Sequence, residues 1–119
     1  MAPLANELHK FDATAQAELI RKKEIKPIEL VEAVIDLIEK INPGINVIVT
    51  KMYDVARAEV KSGLKEAPFS GVPFLLKDLL AAYKGVPMSS GSRYLKNYTP
   101  NQDSELVSRY KRAGMIVGR

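Results

Sequence analysis

The residue that invites chemistry is Lys77. It stands in the run "VPFLLKDLL", with Val72, Phe74, Leu75 and Leu76 before it and Leu79 and Leu80 after it. An ammonium group in such company either reaches water along its own stem or pairs with an acid, or it is held out of water and put to use. In the last case desolvation lowers its pKa, and a neutral amine becomes available as a proton acceptor near pH 7. These residues alone leave both readings open. Asp78 would oppose the shift if it paired with Lys77, but successive strand residues point to opposite faces. Downstream, "MSSGSR" gathers Ser89, Ser90 and Ser92 around Gly91. Three hydroxyls there suit either a bound polar group or a self-satisfied surface turn.

Other chemistries are excluded or weak. No cysteine is present, so disulfides, thiolate catalysis and cysteine-based metal sites fall away, in keeping with a reducing cytoplasm. The single histidine, His9, has no second imidazole to complete a metal site and reads as a surface residue. No histidine stands near the serines, so a Ser-His-Asp arrangement has only the distant His9 to draw on. The serine loop lacks the GK[ST] ending of a phosphate-binding P-loop. We therefore expect no cofactor and no metal.

Composition sets the frame for these residues. A chain of 119 residues with 46% apolar and 27% charged residues has ordinary globular proportions and room for one core. The 18 basic against 14 acidic residues give a net charge of +4, spread along the chain except for "RKKEIK" at residues 21–26. That run reads as the solvated end of a helix, with no interleaved aromatics to stack on bases. A nucleic-acid partner is not expected. Neither a signal peptide nor an apolar run of ~18 residues is present, so no membrane association is expected either.

The elements that must position Lys77 follow from periodicity and punctuation. Asp12 is a candidate N-cap for a helix that stops before Pro27. Pro27 opens a second helix with Leu30, Val31, Val34, Leu37, Ile38 and Ile41 at spacings of three and four, ended by "NPG" at residues 42–44. "NVIVT" at residues 46–50 reads as a short strand, and "YDVARAEVKSG" as a helix closed by Gly63. In "VPFLLKD" a strand sends Val72, Phe74 and Leu76 to one face and Pro73, Leu75 and Lys77 to the other. With both faces apolar up to Lys77, the strand is expected to be central and covered on both sides. Lys77 then stands at its C-terminal end, where open α/β sheets place their ligand crevices. A helix over "NQDSELVSRYKRAG" follows, capped by Asp103 or Ser104, with Leu106, Val107 and Tyr110 inward and Gly114 as its stop. "MIVG" is the next strand. Strand, helix, strand at this length predicts a right-handed crossover between parallel strands in an α/β sheet.

Taken together, "GVPFLLKD" at residues 71–78, "SSGS" at residues 89–92, "DSELVSRYKRAGMIVGR" at residues 103–119 and the helical N-terminal arm resemble the opening section of an amidase signature enzyme. The likeness is greatest to bacterial amidases of the 6-aminohexanoate-cyclic-dimer hydrolase type. It implies an incomplete amidase-signature fold, with residues 1–66 as a helical arm carrying one short strand and residues 67–119 as the start of a mixed-sheet α/β core. It also implies hydrolysis of a small-molecule carboxamide by a Ser-cisSer-Lys triad. Lys77 matches the triad lysine, with Asp78, Ser89, Ser90, Gly91 and Ser92 as supporting candidates.

The departure from the family pattern is as informative as the match. The bridging and attacking serines of such enzymes lie in a Gly/Ser-rich segment beyond the strand matching "MIVGR", so the resemblance implies a catalytically incomplete stretch, inactive alone. A strand ending at Val117 would leave an unpaired edge and bare helix faces, which predicts self-association or pairing with the remaining sequence. The alternative reading is a non-catalytic self-associating domain or truncated pseudo-enzyme.

Overall fold

The computed structural model describes Glu7 and residues 10–119. His9 lies outside the described residues. Among the described residues, four helices accompany a two-stranded parallel sheet: α1 (Ala13–Arg21), α2 (Pro27–Ile45), α3 (Tyr53–Lys61), β1 (Pro73–Leu75), α4 (Glu105–Arg112) and β2 (Ile116–Gly118). No helix among the described residues is long and apolar enough to cross a membrane.

The helices start where their caps allow. Asp12 accepts a 2.8 Å bond from the Ala15 amide and opens α1. The basic residues Arg21, Lys22 and Lys23 at its end are exposed, as expected of a solvated helix terminus. Pro27 takes the first position of α2, and the Glu29 carboxylate reaches back 3.0 Å to the Lys26 amide. The Ser104 hydroxyl caps α4 by accepting from the Val107 amide at 3.2 Å.

Two expectations fail between residues 42 and 50. The "NPG" sequence does not end α2, which runs to Ile45 with Pro43 inside it. Proline forfeits one hydrogen bond in the last turns but keeps a helical φ. The helix stops instead at Asn46, which takes the left-handed conformation (φ 50°, ψ 47°) and donates to the Asn42 carbonyl at 2.7 Å. Residues 46–50 then form no strand. The Asn42 side chain occupies both backbone groups of Ile48, at 2.8 and 3.0 Å, so Ile48 has nothing left for a ladder. One backbone bond reaches the sheet from here, from the Thr50 amide to the Arg119 carbonyl at 3.0 Å.

The sheet pairs Pro73 with Ile116, Phe74 with Val117 and Leu75 with Gly118. Flanking bonds extend it: Ile116 donates to Val72 and Leu76 to Gly118, both at 2.8 Å. Residues 72 and 76 face β2, so by alternation the missing N–H of Pro73 falls on the other edge and breaks no ladder bond. Gly114 ends α4 at φ +91°, where an added Cβ would lie 2.6 Å from the Ser70 Cα. Only glycine lets the chain turn from α4 into β2 so close to the start of β1.

Alternation along β2 divides the core. Ile116 packs with Val31, Ile35 and Ala56 of the helical arm, while Val117 joins Met52, Leu76, Ala81, Tyr83, Val86 and Val107. Arg57 ties α3 to α2 by a two-pronged bond to Glu32, at 2.7 and 3.0 Å. In α4, Val107 is fully buried and Tyr110 meets the Phe74 ring at 4.5 Å, but Leu106 is 50% exposed and not inward. Positions 107 and 110 share a helix face three residues apart, and 106 falls beside it.

Candidate active site

β1 ends at Leu75 and hands the chain to a turn at residues 78–80. Lys77 lies between them, where the sequence placed it, at the C-terminal end of a parallel strand. Its surroundings differ from expectation. Among the described residues β1 has one strand neighbour, β2, and nothing packs closely over the side that carries Leu75 and Lys77: Leu75 is 47% exposed and Lys77 is exposed too. This stretch does not itself bury the lysine. Lys77 instead lines an open hollow of about 400 Å³ together with Val47, Val49, Leu75, Asp78 and Arg119.

Asp78 is the hub of the polar groups here. It accepts from the Ser89 hydroxyl at 2.7 Å, the Ser89 amide at 3.1 Å and the Arg119 guanidinium at 3.1 Å. Burial works against its charge, but the bonds from Ser89 and Arg119 outweigh burial and hold its carboxyl below the usual aspartate range. The loop after Ser89 turns sharply: Ser90 and Gly91 both have positive φ, 53° and 72°, and the Ser92 amide donates to the Ser89 carbonyl at 2.9 Å. The structure thus joins Asp78 to Ser89. Among the described residues it gives Lys77, Ser90 and Ser92 no side-chain bond to one another or to Asp78.

The wall behind the loop is fixed from two sides. Tyr83 is buried and donates to Glu59 on α3 at 2.7 Å, while the Lys111 ammonium sits 4.0 Å over its ring. Asp103 binds both Lys111, at 2.7 Å, and the Lys84 amide, at 2.8 Å.

Sequence reasoning missed Arg119. Its side chain is wholly buried (0% exposed), pairs with Asp78 and donates to the Ala81 carbonyl, while its Nε has no partner. A signal for it existed. Parallel strands end on the same side, so the residue after "MIVG" had to arrive beside "LLKD".

Fold and site together define an α/β protein that collects polar groups at the C-terminal ends of a parallel strand pair. The chain belongs to the amidase family, whose model, described as Amidase, matches residues 29–118. It is 41% identical over 108 residues to the 6-aminohexanoate-cyclic-dimer hydrolase of Pseudomonas sp. (strain NK87), covering 89% of this chain and 22% of that protein. A solved structure of 6-aminohexanoate cyclic dimer hydrolase complexed with substrate superposes with a TM-score of 0.84 at 38% identity, over 91% of this chain and 22% of the other. A bacterial aryl acylamidase of the amidase signature family superposes at 0.80 with 34% identity, over 91% of this chain and 24% of that one. The chain therefore spans about a fifth of the length of these relatives.

Proposed function

We propose that this stretch is the lysine-bearing part of a hydrolase of small linear or cyclic amides, acting through a Ser-cisSer-Lys triad. Lys77 is the base, and the bridging and attacking serines come from sequence outside these 119 residues, without which the stretch is inactive. As the base, Lys77 takes a proton from the bridging serine, which takes one from the attacking serine. The attacking oxygen bonds to the amide carbon, the C–N bond breaks, and the relayed proton leaves on the amine. Water then hydrolyses the acyl ester by the same route.

The observation that carries this reading is the position of Lys77 at the C-terminal end of β1, beside the end of β2, within the matched residues 29–118. Its exposure supports the reading as well: a lysine sealed by this stretch could not meet serines arriving from elsewhere. In the same reading residues 1–66 form the arm and residues 67–119 open the core. The crossover through α4 is right-handed, and further strands add at the free edge of β1 to make a mixed sheet. Asp78 and the loop of Ser89, Ser90, Gly91 and Ser92 form the wall beside the base.

The test joins the full 119-residue chain to the remaining length of the Pseudomonas relative and assays hydrolysis of 6-aminohexanoate cyclic dimer. The joined protein is expected to be active and the 119 residues alone inactive. Activity of the 119 residues alone would overturn the assignment of the serines. A second reading, a non-catalytic self-associating domain, draws on the exposed apolar residues Leu37, Ile41 and Ile45 of α2. A stable oligomer of the 119 residues, together with a joined protein indifferent to Lys77→Ala, would favour it.

A further inference from the structure

We infer that Arg119 is a positioning residue for the reaction proposed above, holding the turn after Lys77 and, through Asp78, the loop at Ser89. Resting on the role proposed for Lys77, it adds a residue that acts through Asp78 and has no side-chain hydrogen bond to the lysine.

The turn at residues 78–80 is not a relaxed one. Leu80 takes φ +63°, the left-handed region that a branched apolar side chain avoids, and its side chain is 81% exposed, so packing does not hold it there. The Arg119 guanidinium supplies the restraint. It bonds to the Asp78 carboxylate at one end of the turn and to the Ala81 carbonyl at the other. The Ala82 amide closes the turn onto the Leu80 carbonyl at 3.1 Å. Arg119 is itself fixed as a continuation of β2, its carbonyl held by the Thr50 amide. The same carboxylate that Arg119 grips holds Ser89, at the head of the second turn with positive φ. One buried cation therefore braces the turn after Lys77 directly and, through Asp78, the turn that Ser89 opens.

The unpartnered Nε supports a positioning role over simple packing. A buried donor left without an acceptor is costly, and an apolar side chain of similar length would fill the space without it. What an apolar side chain could not do is grip a carboxylate and a carbonyl three residues apart with one planar fork.

The joined protein tests this with Arg119→Met and Arg119→Lys, measuring kcat and KM per folded molecule, with Lys77→Ala as control. Displacing a catalytic group by an ångström can cost about 100-fold in rate. We expect Arg119→Met to lower kcat by about that factor with KM changed by less than about twofold. Arg119→Lys keeps the charge but loses the fork, and is expected to recover about tenfold of the loss. An unchanged kcat in folded Arg119→Met, or a rise in KM alone, overturns the inference. Should Arg119→Met fail to fold, Arg119→Lys decides: about a tenfold fall in kcat supports the role, and a kcat within about twofold of the parent overturns it. If Lys77→Ala retains activity, it is the role of the lysine that fails, whatever the Arg119 variants do.

Discussion

The end of the sheet around Asp78 and the apolar face running from α2 onto β1 are neighbours built in opposite ways. Around Asp78 the chain meets its polar groups from within, with Ser89 and Arg119 drawn in from two other segments and the nearby Ala81 carbonyl accepting from the same guanidinium. On the other face Leu37, Ile41, Ile45, Val47, Val49 and Leu75 lie exposed. The difference follows from how the two kinds of group behave. A buried charge without its counter-ion is heavily destabilising by itself, so the Arg119 cation must meet an anion within the stretch that buries it. Apolar surface costs in proportion to area and can stay bare until something covers it. The stretch thus carries a charge-paired polar corner and an uncovered apolar one, side by side at the proposed base.

Perturbing each region separately sharpens this contrast. Asp78→Ala in the closed corner leaves the Arg119 guanidinium buried without its anion. We expect it to lower the urea-unfolding free energy of the chain by about 3–5 kcal/mol. Within α2 the contrast can be read along one helix. Leu30 is fully buried and Leu30→Ala should lower stability by about 2–5 kcal/mol, whereas Ile41→Ala, on the bare face, should stay within about 0.5 kcal/mol. Equal losses at the two positions would mean that the α2 face is covered in solution.

Acid is the mildest perturbation. Asp78 and Asp103 are both burdened by burial, yet their bonds to Ser89 and Arg119, and to Lys111 and the Lys84 amide, hold both carboxyls below the ordinary range. A carboxyl whose pKa is depressed by folding contributes stability that is complete above the unfolded value and is lost as pH falls through the folded one. The chain should therefore be insensitive to pH near neutrality and lose stability progressively below about pH 5. Asp78→Asn should flatten that acid loss, which a thermal-unfolding series against pH would register.

Much of this was legible in the sequence because it is local. Asp12, Pro27, Ser104, Gly63 and Gly114 mark helix ends through their own backbone and capping chemistry, and the apolar spacing around Val107 announces the helix that joins two parallel strands. The failures range from short-range backbone choices to contacts far along the chain. "NVIVT" has the composition of a strand, but the side chain of Asn42 takes the backbone groups of Ile48. "NPG" looks like a stop, yet the left-handed residue turned out to be Asn46. Apolar neighbours along the chain suggest burial of Lys77, while actual cover depends on which elements pack over the face of β1. Arg119 escaped because its meaning lies wholly in its register with residues 41 positions away.

The central claim is that Lys77 serves as a base for serines outside this stretch. Its most direct test is the rate of amide hydrolysis by the joined protein carrying Lys77→Ala. The account predicts a fall in kcat/KM of at least about a thousandfold, as when a member of a catalytic triad is lost, with the fold intact. A variant that hydrolyses amide at the parent rate would contradict it.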